Sequence, residues 1–169
     1  PAPGNVVSYC NGGTSGGGGY GGAGYRMSGT VYGSVSSPVS LGSGGGPARY
    51  YTSIGVGGSA VKLIVSGTTT LNGIIRQNGT NGGYERDCQT TAGGGAGGSV
   101  WLTTSILTGS GSFQANGGTN AGGGRIAVYF SSESLSADPT AGTATSGYMS
   151  GSVVFRNTGV YPKVSRFYT

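Results

Sequence analysis

Three Gly-Gly pairs each open a short apolar run, and this repeat constrains the fold more than any other feature of the chain. The runs are Gly57-Gly58-Ser59-Ala60-Val61-Lys62-Leu63-Ile64-Val65, Gly97-Gly98-Ser99-Val100-Trp101-Leu102-Thr103-Thr104 and Gly123-Gly124-Arg125-Ile126-Ala127-Val128-Tyr129-Phe130. Each alternates. One face carries Val61, Leu63 and Val65, then Val100, Leu102 and Thr104, then Ile126, Val128 and Phe130. A period of two is the signal of a strand. The first two runs share a tail, Asn78-Gly79-Thr80-Asn81 after one and Asn116-Gly117-Gly118-Thr119-Asn120 after the other. A recurring unit of strand, strand and Asn-Gly turn predicts a solenoid, in which each copy buries its apolar face only by stacking on the next. The expected fold is all-β, a right-handed parallel β-helix with Gly-rich loops. Val61, Leu63, Val100, Leu102, Ile126 and Val128 lie inside, and Lys62, Trp101 and Ala127 line up on the outer face. A β-sandwich is the alternative.

Glycine bounds what else the chain can be. It supplies 40 of 169 residues, while only nine Lys or Arg and four Asp or Glu are present. Glycine loses more backbone freedom on folding than any other residue. Such a chain is therefore either disordered or locked by dense hydrogen bonding, and the clustering of apolar residues into strand-length runs favours the second. No stretch reads as a helix. The net charge of +5 comes from scarce acids, and its cations are scattered singly. That argues against a nucleic-acid footprint, which is a dense basic patch, and leaves anionic polysaccharide as a compatible partner. No apolar run approaches the ~20 residues of a membrane span. The sequence starts at Pro1, which reads as a processed chain or a piece of a longer one.

The whole of 1–169 reads as one solenoid domain. Residues 1–24 form an N-terminal arm and Gly-rich tract, of which 11–24 reads as a loop or extended segment laid on the solenoid surface. Residues 25–130 hold the rungs, and 131–169 a polar loop and a C-terminal strand and tail. The Gly-rich tract and Gly55-Val56-Gly57-Gly58-Ser59-Ala60 invite a phosphate-loop reading. That chemistry needs a helix after the glycines to hold the anion, and here a strand follows.

Cys10 and Cys88 sit in polar surroundings. In an oxidising compartment they would pair, clipping the arm to a mid-chain loop. The chain has no His, which argues against a two-Cys metal site. Asn78-Gly79-Thr80 is an N-glycosylation sequon, and with the cysteines it points outside the cell. Glu85 and Asp87 flank Arg86. A calcium site wants six to eight oxygen ligands, so a polar loop with a local ion pair is the better reading.

The order Tyr32-Gly33-Ser34, Pro38, Leu41-Gly42-Ser43-Gly44-Gly45-Gly46, then a GG-led strand, Leu71-Asn72-Gly73 and Asn78-Gly79, continues with a second GG-led strand, Leu107-Thr108-Gly109-Ser110-Gly111 and Asn116-Gly117-Gly118 before the GGGRI strand. Over residues 11–130 this resembles the Gly-rich β-helical repeat of large cell-surface proteins, including plant Gly-rich membrane-anchored proteins and bacterial surface proteins. The resemblance implies a structural role at the surface and no catalytic residues.

The expected function is an extracellular structural protein, a filament subunit that assembles with copies of itself through open β edges. The strand-prone ends would supply the contact: Val6, Val7 and Tyr9 at the front, and Val153, Val154, Phe155, Val160, Tyr161, Val164 and Phe167 at the back. A glycan- or ice-binding module is the alternative, resting on exposed Tyr, Trp101 and Thr rows. A polysaccharide-active enzyme is weaker, because Glu85, Asp87, Glu133 and Asp138 are the only acids and all fall in loops. No catalytic, cofactor-binding or metal-ligating residue is assigned, and no cofactor is expected.

Overall fold

In a computed structural model, residues 13–25, 29–48, 53–135, 149–158 and 165–168 are described. The strands in chain order are β1 (Ala60–Thr70), β2 (Ile74–Arg76), β3 (Tyr84–Glu85), β4 (Thr90–Thr91), β5 (Ser99–Gly109), β6 (Ser112–Gln114), β7 (Arg125–Phe130), β8 (Ser132–Leu135), β9 (Ser152–Asn157) and β10 (Ser165–Tyr168). Each Gly-Gly-led run thus becomes a strand.

The main sheet runs β1-β5-β7-β9-β10, with β8 continuing beside β5 where β7 ends. All its pairings are parallel except the last, where β10 lies antiparallel on β9. Register follows the alternation read from the sequence. Val61 faces Val100, which faces Ile126 and then Val153; Leu63 leads through Leu102 and Val128 to Phe155. On the opposite face Lys62, Trp101 and Ala127 align, and the Lys62 Nζ sits 3.9 Å above the Trp101 ring. A register shift between Val65 and Thr68 gives β1 an extra residue, a bulge at Ser66 and Gly67.

A second sheet pairs β2 with β6 in parallel, setting Ile75 opposite Phe113. Phe113 joins Val100, Leu102, Leu107, Ile126, Val128, Phe130, Val153 and Phe155 in one apolar core. Each side chain of this size contributes ~1.5–3 kcal/mol when fully removed from water. Val100, Leu102, Ile126 and Val128 are completely buried, but Leu63 is 36 % exposed. The expectation of a buried Leu63 fails because β1 is the edge strand, and among the described residues no strand pairs with its outer side.

The fold is therefore all-β with parallel sheets. The sandwich alternative, built from antiparallel strands, does not describe the ladder through β1, β5, β7 and β9. No closed coil is completed among the described residues, since the second sheet holds only β2 and β6.

The glycine tracts form the other half of the core. Residues 15–20 and 92–100 are buried without interruption, so the tract read as surface packing lies inside. Its hydrogen bonds explain how. Ala92, Gly95 and Gly98 donate their N–H groups to the carbonyls of Gly83, Thr80 and Gln77; Gly93 and Ala96 donate to Gly46 and Ser43; Gly94 and Gly97 donate to Thr119 and Gly122. Every third residue points the same way, the period of a polyproline II helix, which makes no hydrogen bonds within itself. Each peptide must then find its partner in another segment, and a buried segment is tolerable only when they do. Segment 92–98 is the centre, ringed by 15–18, 40–46, 55–58, 77–83 and 117–122.

Candidate assembly interface

Among the described residues, the first layer, residues 53–83, presents an open face with several large apolar side chains. It stacks in register on the second layer along its whole length. Gly55 and Gly58 donate to the carbonyls of Gly93 and Ala96, β1 pairs β5, β2 pairs β6, and the backbone N–H groups of Asn116 and Thr119 donate to the Asn78 and Asn81 Oδ1 atoms, each at 2.8 Å. On its other side nothing described covers it. Ile54, Val56, Leu63, Ile64 and Ile74 are exposed there, while Val61, Val65, Leu71 and Ile75 only partly enter the core. A flat edge strand is a template for another strand.

The opposite end is arranged differently from the expectation. Val153, Val154 and Phe155 are 4 %, 7 % and 5 % exposed and belong to the chain's own sheet, where β9 stacks on β7. As an intersubunit surface they are corrected: stacking on the third layer consumes them. The strand β10 sets Phe167 opposite Val154 in the backbone ladder, so it covers the outer edge of β9 in the same chain. Val6, Val7, Tyr9, Val160, Tyr161 and Val164 lie outside the described residues.

Between bundle and sheet runs a polar seam. Ser99 Oγ donates to the Ser40 carbonyl at 2.6 Å, so the Tyr20 hydroxyl, also 2.6 Å away, is the donor to Ser99. Arg125 is 4 % exposed. Its Nε donates to the Tyr32 carbonyl at 3.1 Å, its Nη1 to Ser152 Oγ at 2.9 Å, and it stacks 5.5 Å from the Tyr20 ring. Burial pushes its pKa below the usual arginine value, against an opposing pull from Tyr20. The seam pins the 29–41 segment over the sheet, where Tyr129 also donates to the Ser36 carbonyl.

Burial raises the Tyr32 phenol above its usual 10, Tyr20 adds to the rise, and the Ser43 hydroxyl works against it. The folded state therefore holds this proton more tightly than the unfolded chain. Stability from this group is complete below pH ~10 and falls as the pH climbs through the raised value. Tyr32→Phe should cost about 1 kcal/mol at pH 7, through loss of the 2.5 Å bond to the Leu41 carbonyl. It should also flatten the fall of stability above pH ~10, read by urea unfolding at a series of alkaline pH values; a pH dependence equal to that of wild type would contradict the assignment.

The loop between β3 and β4 spends its carboxylate on itself. Glu85 Oε1 accepts from the Asp87 N–H at 3.0 Å, and Oε2 accepts from the Cys88 N–H at 3.0 Å and the Thr90 hydroxyl at 3.3 Å. Cys88 is buried at 8 % exposure, and Cys10 lies outside the described residues. Both side chains of the sequon are engaged. Asn78 Oδ1 carries the inter-layer bond given above, and Thr80 Oγ1 accepts from the Val56 N–H at 2.8 Å. After Gly58 the chain enters β1, so no helix N-terminus faces those glycines. Among the described residues no helix is long and apolar enough to cross a membrane.

No protein-family model, curated protein or solved structure matches the chain. Function must be read from the geometry.

Sequence reasoning did not single out Ile54, Ile64 or Ile74 at the open layer. The signal that points to them is that the repeat has a first copy, which by construction lacks a neighbour on one side.

Proposed function

We propose that this chain is an extracellular structural protein, the subunit of a surface filament that grows end to end through open β edges. The observation that carries the reading is the first layer: an 11-residue edge strand, an uncovered core column at Leu63, and exposed Ile54, Val56, Ile64 and Ile74. A right-handed parallel β-helix is the fold this reading uses. The registered stacking of residues 55–81 on 93–119, a spacing of 38 or 39 residues, supports successive turns of one coil. Head-to-tail contacts that do not close generate a polymer, with copies of the same chain as the partners.

No enzymatic activity is proposed, and none of the acids is given a chemical role. Location outside the cell rests on the sequon at Asn78 and on a Cys10–Cys88 disulfide. The glycan- or ice-binding alternative draws on one feature, the outward hydroxyl column Thr70, Thr108 and Ser134.

Negative-stain electron microscopy of the native material tests the filament, and a non-reducing peptide map of the same sample reads the disulfide and Asn78. Filaments and a joined Cys10–Cys88 peptide are expected. Monomers at high concentration reject the filament, and two free thiols reject the disulfide.

A further inference from the structure

We infer that β10 of one copy pairs antiparallel with β1 of the next, so that one sheet runs through the junction. This rests on the filament reading and specifies its contact. β1 and β10 are the two outer strands of the main sheet, and they occupy the same columns. Ser165, Arg166, Phe167 and Tyr168 lie opposite Arg156, Phe155, Val154 and Val153. Those columns continue through Tyr129, Val128, Ala127 and Ile126, then Thr103, Leu102, Trp101 and Val100, to Ile64, Leu63, Lys62 and Val61. A second copy displaced along the stacking direction therefore sets its Val61–Ile64 stretch on β10 of the first.

Direction agrees with position. The reversed course of β10 lets a neighbour in the same orientation join by antiparallel pairing, the slightly stronger kind per residue.

The peptide groups of β1 are ready for this. The Ser99 N–H donates to the Ser59 carbonyl, which turns the peptides of Val61, Leu63 and Val65 toward β5. By the period of two, those of Lys62 and Ile64 face the free edge. The bulge at Ser66 and Gly67 ends the regular stretch, and their carbonyls are bonded to the hydroxyls of Ser105 and Thr104. Bulges limit what can pair with an edge, so the stretch before it admits a short strand such as β10 in few registers.

The open layer offers room for more than the strand pair. The four residues of β10 match about 13 Å of β1, while the full 11-residue strand is about 36 Å long and a two-sheet layer about 20 Å across, so on the order of 700 Å² is available on the β1 side. A stable complex buries ~800 Å² per partner. The junction would also cover Leu63, whose column is closed at its other levels by Leu102, Val128 and Phe155.

Each copy then adds five strands to the continuous sheet, an axial rise of about 24 Å at ~4.8 Å per strand.

Ile64→Pro in the full chain is the decisive variant. It removes a free-edge N–H and leaves the β5 ladder whole, and edge strands tolerate proline. Leu63→Pro is the contrast, since it breaks the internal ladder and the fold with it. The expected result is that Ile64→Pro melts within a few degrees of wild type, yet shows at least a tenfold loss of pelletable polymer. Wild-type filaments should have a rise near 24 Å by helical image analysis. A second variant keeps the test independent of proline: Ile64→Cys with Ser165→Cys should give an oxidised ladder of oligomers on a denaturing gel. If wild type forms filaments but Ile64→Pro forms them equally well, or the rise differs, the junction is wrong and the filament stands. A discrete dimer, or a wild type that stays monomeric, overturns both.

Discussion

Gly95→Ala is expected to abolish cooperative folding. A Cβ at Gly95 would sit 2.0 Å from the Val56 carbonyl oxygen, 2.2 Å from its carbon and 2.6 Å from the Gly57 nitrogen. All three are backbone atoms, so no rotamer change relieves the clash. Nor can the central segment slide away, because the Gly95 N–H is held by the Thr80 carbonyl at 2.9 Å and its own carbonyl accepts from Gly118 at 2.8 Å. Separating 92–98 from 55–58 would break the bonds from Gly55 to Gly93 and from Gly58 to Ala96. Each buried polar group left unpaired costs ~1–3 kcal/mol. Two bonds expose four such groups, so the loss is on the order of 4 kcal/mol or more. Total stability of a typical domain is ~5–15 kcal/mol.

The controls are Gly67→Ala and Gly73→Ala, where an added Cβ meets nothing within 4 Å. Neither has a positive φ; among the described glycines only Gly33 and Gly109 do. These substitutions should be neutral or stabilise by ~0.4–1 kcal/mol. Urea unfolding followed by Trp101 fluorescence reads all three. A Gly95→Ala midpoint equal to that of wild type would show that the bundle is not close-packed.

The contrast between Gly95 and Gly67 also shows what was legible in the sequence. Strands β1, β5 and β7, and the columns through Val61 and Leu63, could be read because alternation of large apolar and other residues reports directly on which face is buried. The bundle escaped that logic. Apolar side chains mark a core that excludes water by their bulk, whereas segment 92–98 is buried by backbones approaching one another, and the residue that permits this has no side chain. The readable trace was a run of Gly and Ala alone leading into a strand. Val153, Val154 and Phe155 were read as a contact surface from their place near the chain's end. Their burial depends on a fourth strand stacking in parallel more than twenty residues after the third, which local pattern does not encode. Leu63 failed in the opposite sense: its alternation is right, but a stack has a first member.

Phe113→Ala should be the most damaging single truncation in the apolar half, and it tests whether the two halves form one cooperative unit. Phe113 is fully buried, on a strand of three residues too short to show a period in sequence. It faces Ile75 in the second sheet and belongs to the same apolar core as Leu102, Leu107 and Val128. Truncation of a buried Phe costs ~3–5 kcal/mol in transfer and cavity terms, which for a chain of this size lowers Tm by roughly 6–20 °C. The bundle begins immediately beyond this residue. The Gln114 carbonyl accepts from the Gln77 N–H, and the Ala115 carbonyl accepts from Gly124. A cavity under β6 therefore loosens the anchor from which 77–83 and 121–124 reach the central segment. The amides of 92–98, which are held only by other segments, should lose hydrogen-exchange protection in step with the Trp101 fluorescence transition. Coincident probes are the mark of a single two-state unit. If the 92–98 amides keep wild-type protection while the Trp101 transition falls by several degrees, the bundle is a separate unit and its coupling to the sheet through 114–115 is wrong.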